Sequence, residues 1–290
     1  MDKHTKSLLI TILGIVLMSF ESLLVKVSSI DAFTFLFYAS IFLFLSTNLT
    51  LIAKYKKRYL PLFRQEAKMI IICGLFFAIS SLSFIQALKN TSVANAMLIF
   101  SSVPIFSAFY LYAFYKIKTR KNTYISFIFI FIGLLIIFSS DLGKDLAALG
   151  NVFALLCACM YSLGYVLLSK HTKIDIYMVF CLSGFFGAII SSFFIHSVKI
   201  DATNLFLVIL NGFLFVPTSR ALIGIGVKNL EATEISLLAV LETIIAPILA
   251  WLFLANTPSR AAFIGGFIIL TTLIINSLFS IKVSKNKIKQ

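Results

Sequence analysis

Ten times along this chain a run of about 20 apolar residues, long enough to cross a bilayer as a helix, is closed by a short polar or charged link. The runs are Ser7–Val27, Phe33–Ala53, Met69–Leu88, Ser92–Tyr115, Tyr124–Ser140, Leu149–Ser169, Ile176–Val198, Leu205–Val227, Thr233–Ala255 and Ala261–Ile281. In hydrocarbon every backbone N–H and C=O must find a partner without help from water, which leaves helices or a closed barrel. Stretches such as "FLFYASIFLFL" could be strands in water. Their length and the short charged links favour helices. Composition agrees: 12% of residues are charged and mean hydropathy is +1.03, whereas soluble domains are about 25% charged. The opening "MDKHTKSLLITILGIVLMSF" has the charged and apolar regions of a signal peptide. It lacks a small-residue cleavage site and its apolar run continues towards Val25, so it reads as a retained first span. The predicted class is an all-α integral membrane protein with ten transmembrane helices.

The net charge of +14 invites a nucleic-acid reading, but the placement of the charges removes it. Of the 25 basic residues, nineteen fall in the links on one side of the spans, five on the other, and Arg220 inside a span. Basic residues accumulate in cytoplasmic loops. This asymmetry therefore predicts an even number of spans, both termini in the cytoplasm, and a cell (inner) membrane location. The runs "KIKTRK" and "KVSKNKIKQ" read as solvated faces able to touch anionic lipid. Cys73, Cys157, Cys159 and Cys181 all lie in apolar runs without CxxC spacing and read as small buried hydrophobes. No metal or cofactor is implied.

The two halves echo each other. Lys26 and Asp31 flank the first link as Lys170 and Asp175 flank the sixth, each pair offset by 144 residues. "KNTSVANAMLIFSSV" from Lys89 parallels "KNLEATEISLLAVLE" from Lys228 at an offset of 139. The expected organisation is residues 1–145 as a first five-helix repeat and 146–290 as a second. An odd number of spans per half puts the second copy inverted in the membrane. Inverted repeats imply a central site at their interface and rocking between two access states.

These features resemble the EamA-type carriers of the drug/metabolite transporter superfamily. "LAVLETIIAPILAWLFLANTPS" is similar to that family's ninth-helix pattern, with Glu242 on the family glutamate and Trp251 on the tryptophan. "ALKNTSVANAMLIFSSVPIFSAF" is similar to the third-to-fourth helix junction, with Pro104 on the family proline. Thr243 stands where the family has proline, Lys116 and Asn256 where it usually has glutamates, and "SFESLLVK" where many relatives have a tryptophan-glycine pair. The resemblance implies two five-helix repeats and secondary transport of a small polar metabolite, such as an amino acid or related compound, driven by protons or exchange. The family carries varied cargo, so the fold does not name it.

Glu21, Arg220 and Glu242 lie well inside spans, where a charge needs a partner, a cavity or neutralisation. At about 1.5 Å per residue, Glu242 and Arg220 sit roughly 13 Å and 10 Å from the inner edge, and Glu21 roughly 21 Å. Two readings follow for Arg220: an ion pair with Glu242 on the next helix, or a cavity-facing receptor for a carboxylate or phosphate. Glu21 has no basic neighbour at its depth except Lys26, which snorkels outward. It is either a proton-coupling carboxyl or a protonated one bonded to a neighbouring helix. Tyr38, Ser81, Gln86, Asn95, Tyr161 and Asn211 are further pathway candidates, with helix-helix packing as the plainer account. Gly133, Gly184, Gly187 and Gly265–Gly266 read as close-packing points, and Pro104, Pro217 and Pro247 should break or bend their helices.

The alternatives to a carrier are a membrane-embedded enzyme and a channel-like module. His4, His171 and His196 are scattered, no paired-aspartate motif occurs, and the links are too short for a catalytic domain. A channel would repeat charged or carbonyl rings. The expected partners are a small-molecule substrate and the bilayer, with no nucleic acid.

Overall fold

The computed structural model describes residues 3–118, 121–139, 145–171, 173–195, 199–226, 232–255 and 258–288. The sequence readings that fall on Met1, Ser140, Lys144, His196, Val198, Val227, Lys228, Asn229, Asn256 and Gln290 lie outside these residues. Among the described residues the fold is all-helical: α1 (Lys3–Val27), α2 (Ala32–Tyr55), α3 (Tyr59–Gln65), α4 (Ala67–Asn90), α5 (Val93–Phe100), α6 (Val103–Tyr115), α7 (Lys121–Ser139), α8 (Asp145–Ser169), α9 (Ile176–Ser192), α10 (Ala202–Ile209), α11 (Val216–Gly226), α12 (Ala232–Leu254) and α13 (Arg260–Ile288). Among the described residues six helical stretches are long and apolar enough to cross a membrane. Four shorter apolar ones, Tyr124–Ser139, Ile176–Ser192, Leu241–Leu254 and Arg260–Asn276, fall on the remaining sequence runs. The short helix α3 occupies the second link, where the apolar pattern predicts none.

Two of the ten runs are interrupted, each at a proline. In the fourth run α5 ends at "FSSVP": the Ser101 and Ser102 hydroxyls donate to the carbonyls of Leu98 and Ile99 at 2.6 and 2.7 Å. Pro104 then sits in the first turn of α6, where its missing N–H costs nothing. In the eighth run α10 passes through a π-helical segment, Leu210–Phe215, into α11. Pro217 cannot donate to the Phe213 carbonyl one turn back. Ser46 of α2 donates to it instead, at 3.1 Å. Pro247 behaves differently, since α12 runs through it without interruption.

Aspartates start several helices. Asp31 accepts from the backbone N–H groups of Phe33 and Thr34, Asp175 from Tyr177 and Asp201 from Asn204, meeting donors that a helix N-terminus leaves unpaired. Asp31 and Asp175, matched by the repeat offset, thus do the same local job.

The burial pattern is that of a protein solvated by lipid. Ser22, Ser40, Ser80, Ser162, Ser183 and Ser219 are buried, while Phe109, Phe131, Phe263 and Phe267 are 62%, 60%, 65% and 72% exposed. Buried hydroxyls find acceptors within their own helices or across to a neighbour, as Ser19 does on Ile15 and Ser162 on Val103. Such bonds let a polar interior sit inside an apolar exterior.

Packing is intimate between the halves. α4 lies against α8 and α9, α2 against α9 and the π-helical segment, α1 against α11 and α12, and α7 against α13. At the crossing of α2 with the π-helical segment, a Cβ on Gly212 would collide with the Ala39 carbonyl. The α7–α13 crossing is mutual: a Cβ on Gly133 would come within 2.9 Å of the Gly265 carbonyl, and one on Gly265 within 2.6 Å of the Gly133 carbonyl. Glycines at these points let backbones approach, which is how helices associate in lipid.

Candidate functional site

The packing of α1, α4, α8, α11 and α12 brings the three intramembrane charges to one place. Two adjoining cavities share Glu21, Ser81 and Arg220 in their walls. One is completed by Ser40, Ser183, Asn211 and the α2 face, the other by Glu242, Cys157, Tyr161, Phe77 and Phe100. Their cavity volumes are about 20 and 30 Å3, room for a water or two each. Admitting a metabolite therefore requires the helices around them to part.

Arg220 is held in an unusual way. Its guanidinium carbon lies 3.8 Å from the centre of the Phe180 ring, a cation–π contact. Its Nη1 is buried with no hydrogen-bond partner among the described residues, as is Nδ2 of Asn211. Lys54–Asp175 and His171–Glu66 form ion pairs, whereas Arg220 and Glu242, both among the described residues, do not approach to ion-pair distance, so the first of the two readings of Arg220 is not the arrangement seen. Arg220 instead lies within electrostatic reach of both Glu21 and Glu242, and the two carboxylates lie within reach of each other.

This corrects the expectation that Glu21 lacks a basic neighbour. Counting depth along the chain takes each residue's backbone as its position, and here the backbone misleads. α1 packs on α11 so closely that a Cβ on Gly14 would meet Ser219 and Ile223 at 2.9 Å. Long helical side chains reach towards their own helix N-terminus, which accounts for Arg220 of α11 sharing cavity walls with Glu21.

One wall is aromatic. Phe77 meets Tyr161, Tyr165 and Phe180 at ring-centre distances of 5.5, 5.1 and 5.4 Å, and Phe100 meets Tyr161 at 5.1 Å. The Ser80 hydroxyl donates to the Cys157 carbonyl at 3.2 Å and ties α4 to α8 behind it. Of the pathway candidates that the sequence suggests, the cavities gather Glu21, Arg220, Glu242, Ser81, Tyr161 and Asn211. Three others sit apart. Gln86 accepts from Asn90 one turn on, Tyr38 packs edge-on to Phe37, and Asn95 is buried in the first turns of α5, its N–H capped by Ser92. Phe180, Phe77, Phe100 and Ser80 join the site without any sequence signal. Among 31 phenylalanines, nothing local marks Phe77, Phe84 and Phe100, which line the cavity, or Phe180, which stacks on Arg220. Among the described residues no cluster of histidine, cysteine and carboxylate could hold a metal ion.

A second polar cluster lies at the end of the helices where α2 finishes and α9 begins. Asp175 accepts from Lys54 Nζ at 2.5 Å, Tyr55 Oη at 2.6 Å and the Tyr177 N–H at 2.9 Å. Burial works against this charge, but these hydrogen bonds outweigh it and hold the carboxyl below its ordinary 3.8. At the opposite end Lys89 Nζ donates to the Ser28 carbonyl at 2.6 Å, and Asn204 bonds both Ser28 and Ser29. Polar ties therefore close both ends of the bundle around the charged centre.

A multi-pass helical bundle lined inside by serines and intramembrane charges and outside by phenylalanine defines an integral membrane protein. Residues 5–139 match the model of the EamA-like transporter family. The chain is 27% identical to an uncharacterized transporter of Clostridium kluyveri, over 76% of this chain and 75% of that one. It is 24% identical to an uncharacterized transporter of Synechocystis sp., over 70% of this chain and 62% of that one. One crystal structure shares its fold with a TM-score of 0.65 at 17% identity, covering 96% of this chain and 99% of the other. The family match and both relatives thus place transporters among the proteins this chain is similar to.

Proposed function

We propose that this chain is a secondary transporter that carries a small polar metabolite through the Glu21–Arg220–Glu242 centre by alternating access, with a proton or a counter-exchanged cargo as the driving partner. The observation that carries the reading is the buried Nη1 of Arg220, without a hydrogen-bond partner among the described residues, at the wall of a cavity shared with two carboxylates. Such a guanidinium offers charge-assisted hydrogen bonds to a cargo carboxylate or phosphate. The two glutamates can hold a proton or an ammonium group, and the aromatic wall can cover an apolar side chain. An amino acid or related compound presents these groups together.

Two inverted five-helix repeats, residues 1–145 and 146–290, are the proposed framework. The packing supports this, because exchanging the halves maps contacts onto contacts. The third span on the sixth (α4 on α8) corresponds to the eighth on the first (α11 on α1). The third on the seventh (α4 on α9) corresponds to the eighth on the second (the π-helical segment on α2), while α2–α9 and α7–α13 map onto themselves. In this reading ten spans cross the cell membrane, and the end bearing Lys54, Asp175 and the basic links faces the cytoplasm. Rocking of the repeats would break the ties at one end while those at the other stay closed.

The test uses the purified transporter in sealed vesicles, screened for exchange of labelled metabolites. Saturable exchange that Arg220→Gln abolishes, while Glu21→Gln retains exchange at equal pH and loses acceleration by a pH gradient, supports the assignment. A Glu21→Gln variant that follows the gradient as the unaltered chain does would remove Glu21 from coupling. Exchange insensitive to Arg220 would remove the cargo site.

A further inference from the structure

A further cavity, larger than the two at the charged centre, lies among the described residues. It is an apolar groove of about 480 Å3 that opens on the outer surface between α5, α12 and α13. Ala94 and Leu98 of α5 make its floor with Gly266, and Ile248, Trp251, Phe263 and Phe267 make its rims. The rim residues are 44%, 55%, 65% and 72% exposed. A recess with hydrocarbon walls on the lipid-facing side of a membrane helix bundle cannot fill with water at that depth without cost.

Its dimensions and charge point to one occupant. From Thr243 to Trp251 on α12, and from Ala262 to Leu270 on α13, the walls run about 12 Å at 1.5 Å per residue. That approaches half of the about 30 Å hydrocarbon core, the depth of one leaflet. The groove ends at Pro258, two residues before the exposed Arg260 that begins α13. No acidic residue lies in that first turn. Ser259 already caps the Ala262 N–H of that turn, so the group next along the chain from the polar end that can favour a phosphate is the Arg260 guanidinium.

We infer that this groove seats one acyl chain of a bilayer phospholipid, with the lipid phosphate held at Arg260. The site rests on the membrane placement of the chain and is separate from the proposed cargo site. The resident lipid fills the notch where α5, α12 and α13 leave a gap, so it props the wall that Thr243 and its neighbour Glu242 form between lipid and the charged centre.

Trp251 is the chain's one tryptophan and lies on the rim, so its fluorescence reports the groove directly. The experiment reconstitutes the whole chain into phosphatidylcholine vesicles doped with bromine-labelled phosphatidylglycerol or, separately, bromine-labelled phosphatidylcholine, and measures quenching against mole fraction. The expected result is an apparent affinity for the anionic lipid about fivefold higher, the scale of one basic residue at a membrane surface. Arg260→Gln should remove that preference, although the other basic residues remain. Gly266→Val, which pushes a side chain against Leu98, should weaken quenching by both lipids, and Leu270→Phe serves if that variant does not fold. Quenching proportional to mole fraction, blind to headgroup and unchanged in these variants, would mean ordinary boundary lipid and overturn the site. Loss of quenching at high protein density, together with disulfide cross-linking of a Phe263→Cys chain, would mean that a second copy covers the groove and would overturn it equally.

Discussion

Replacing Asp175 by Asn should loosen the end of the bundle where α2 meets α9 without unfolding either helix. Asn caps a helix N-terminus about as well as Asp, so the bond from the Tyr177 N–H at 2.9 Å survives. What is lost is the charge. Lys54 is 52% exposed, so its ion pair contributes only about 0.2–1 kcal/mol after solvent screening. The Tyr55 hydroxyl at 2.6 Å gives up the difference between a charged and a neutral acceptor, about 1 kcal/mol. Together the change is about 1–2 kcal/mol, enough to move an equilibrium about 5–30-fold. Cys181 is the reporter. It lies buried among α9 side chains, 2.9 Å from Asn48 Nδ2 of α2, and parting of α2 from α9 exposes it. In a chain keeping Cys181 and lacking Cys73, Cys157 and Cys159, Asp175→Asn should speed maleimide labelling about 5–30-fold while helical circular dichroism stays constant. The pH behaviour has a definite sign. Folding depresses the Asp175 carboxyl below its ordinary 3.8. Its contribution is therefore fully present above about pH 4 and fades as acid passes through the lower folded value. Unchanged labelling in Asp175→Asn, or an equal rise in an Asp201→Asn control at the other end, would refute the role assigned to this cluster.

Other outcomes follow from the same geometry. Arg220→Lys should fold and lose about 10–100-fold in cargo affinity, read by exchange kinetics, because a lysine cannot offer the planar fork that rests on Phe180. Gly212→Ala should cost about 1–3 kcal/mol by overpacking against the Ala39 carbonyl, seen as a lowered unfolding temperature in detergent. Ala at Gly224, where an added Cβ meets nothing within 4 Å, should change little. Cysteines placed at Ser29 and Lys57 should react with an impermeant maleimide from opposite sides of the membrane, and labelling of both from one side would contradict the spans as drawn.

The helical character of the chain and the place of its apolar helices were legible in the sequence because hydrocarbon leaves the backbone so few options. Long apolar runs must satisfy their own hydrogen bonds, and the links between them hold the charges that cannot enter. The break at "FSSVP" was legible for a similar local reason, since a proline cannot continue a helix from the turn before it but fits the first turn of a new one. Costly residues also announced themselves: Glu21, Arg220 and Glu242 stood out because an intramembrane charge is rare. Their mutual arrangement was not legible. Whether Arg220 pairs with Glu242, faces Glu21, or rests on Phe180 depends on how α1 seats on α11 and on the slant of one long side chain, neither of which leaves a periodic trace. The same holds for Pro247, which α12 absorbs, and for Gln86 and Tyr38, which line neither cavity of the charged centre. Local backbone chemistry acts over one helical turn and is written in the chain. Side-chain assembly across α1, α4, α8, α11 and α12 joins residues far apart in sequence, and only the folded bundle decides it.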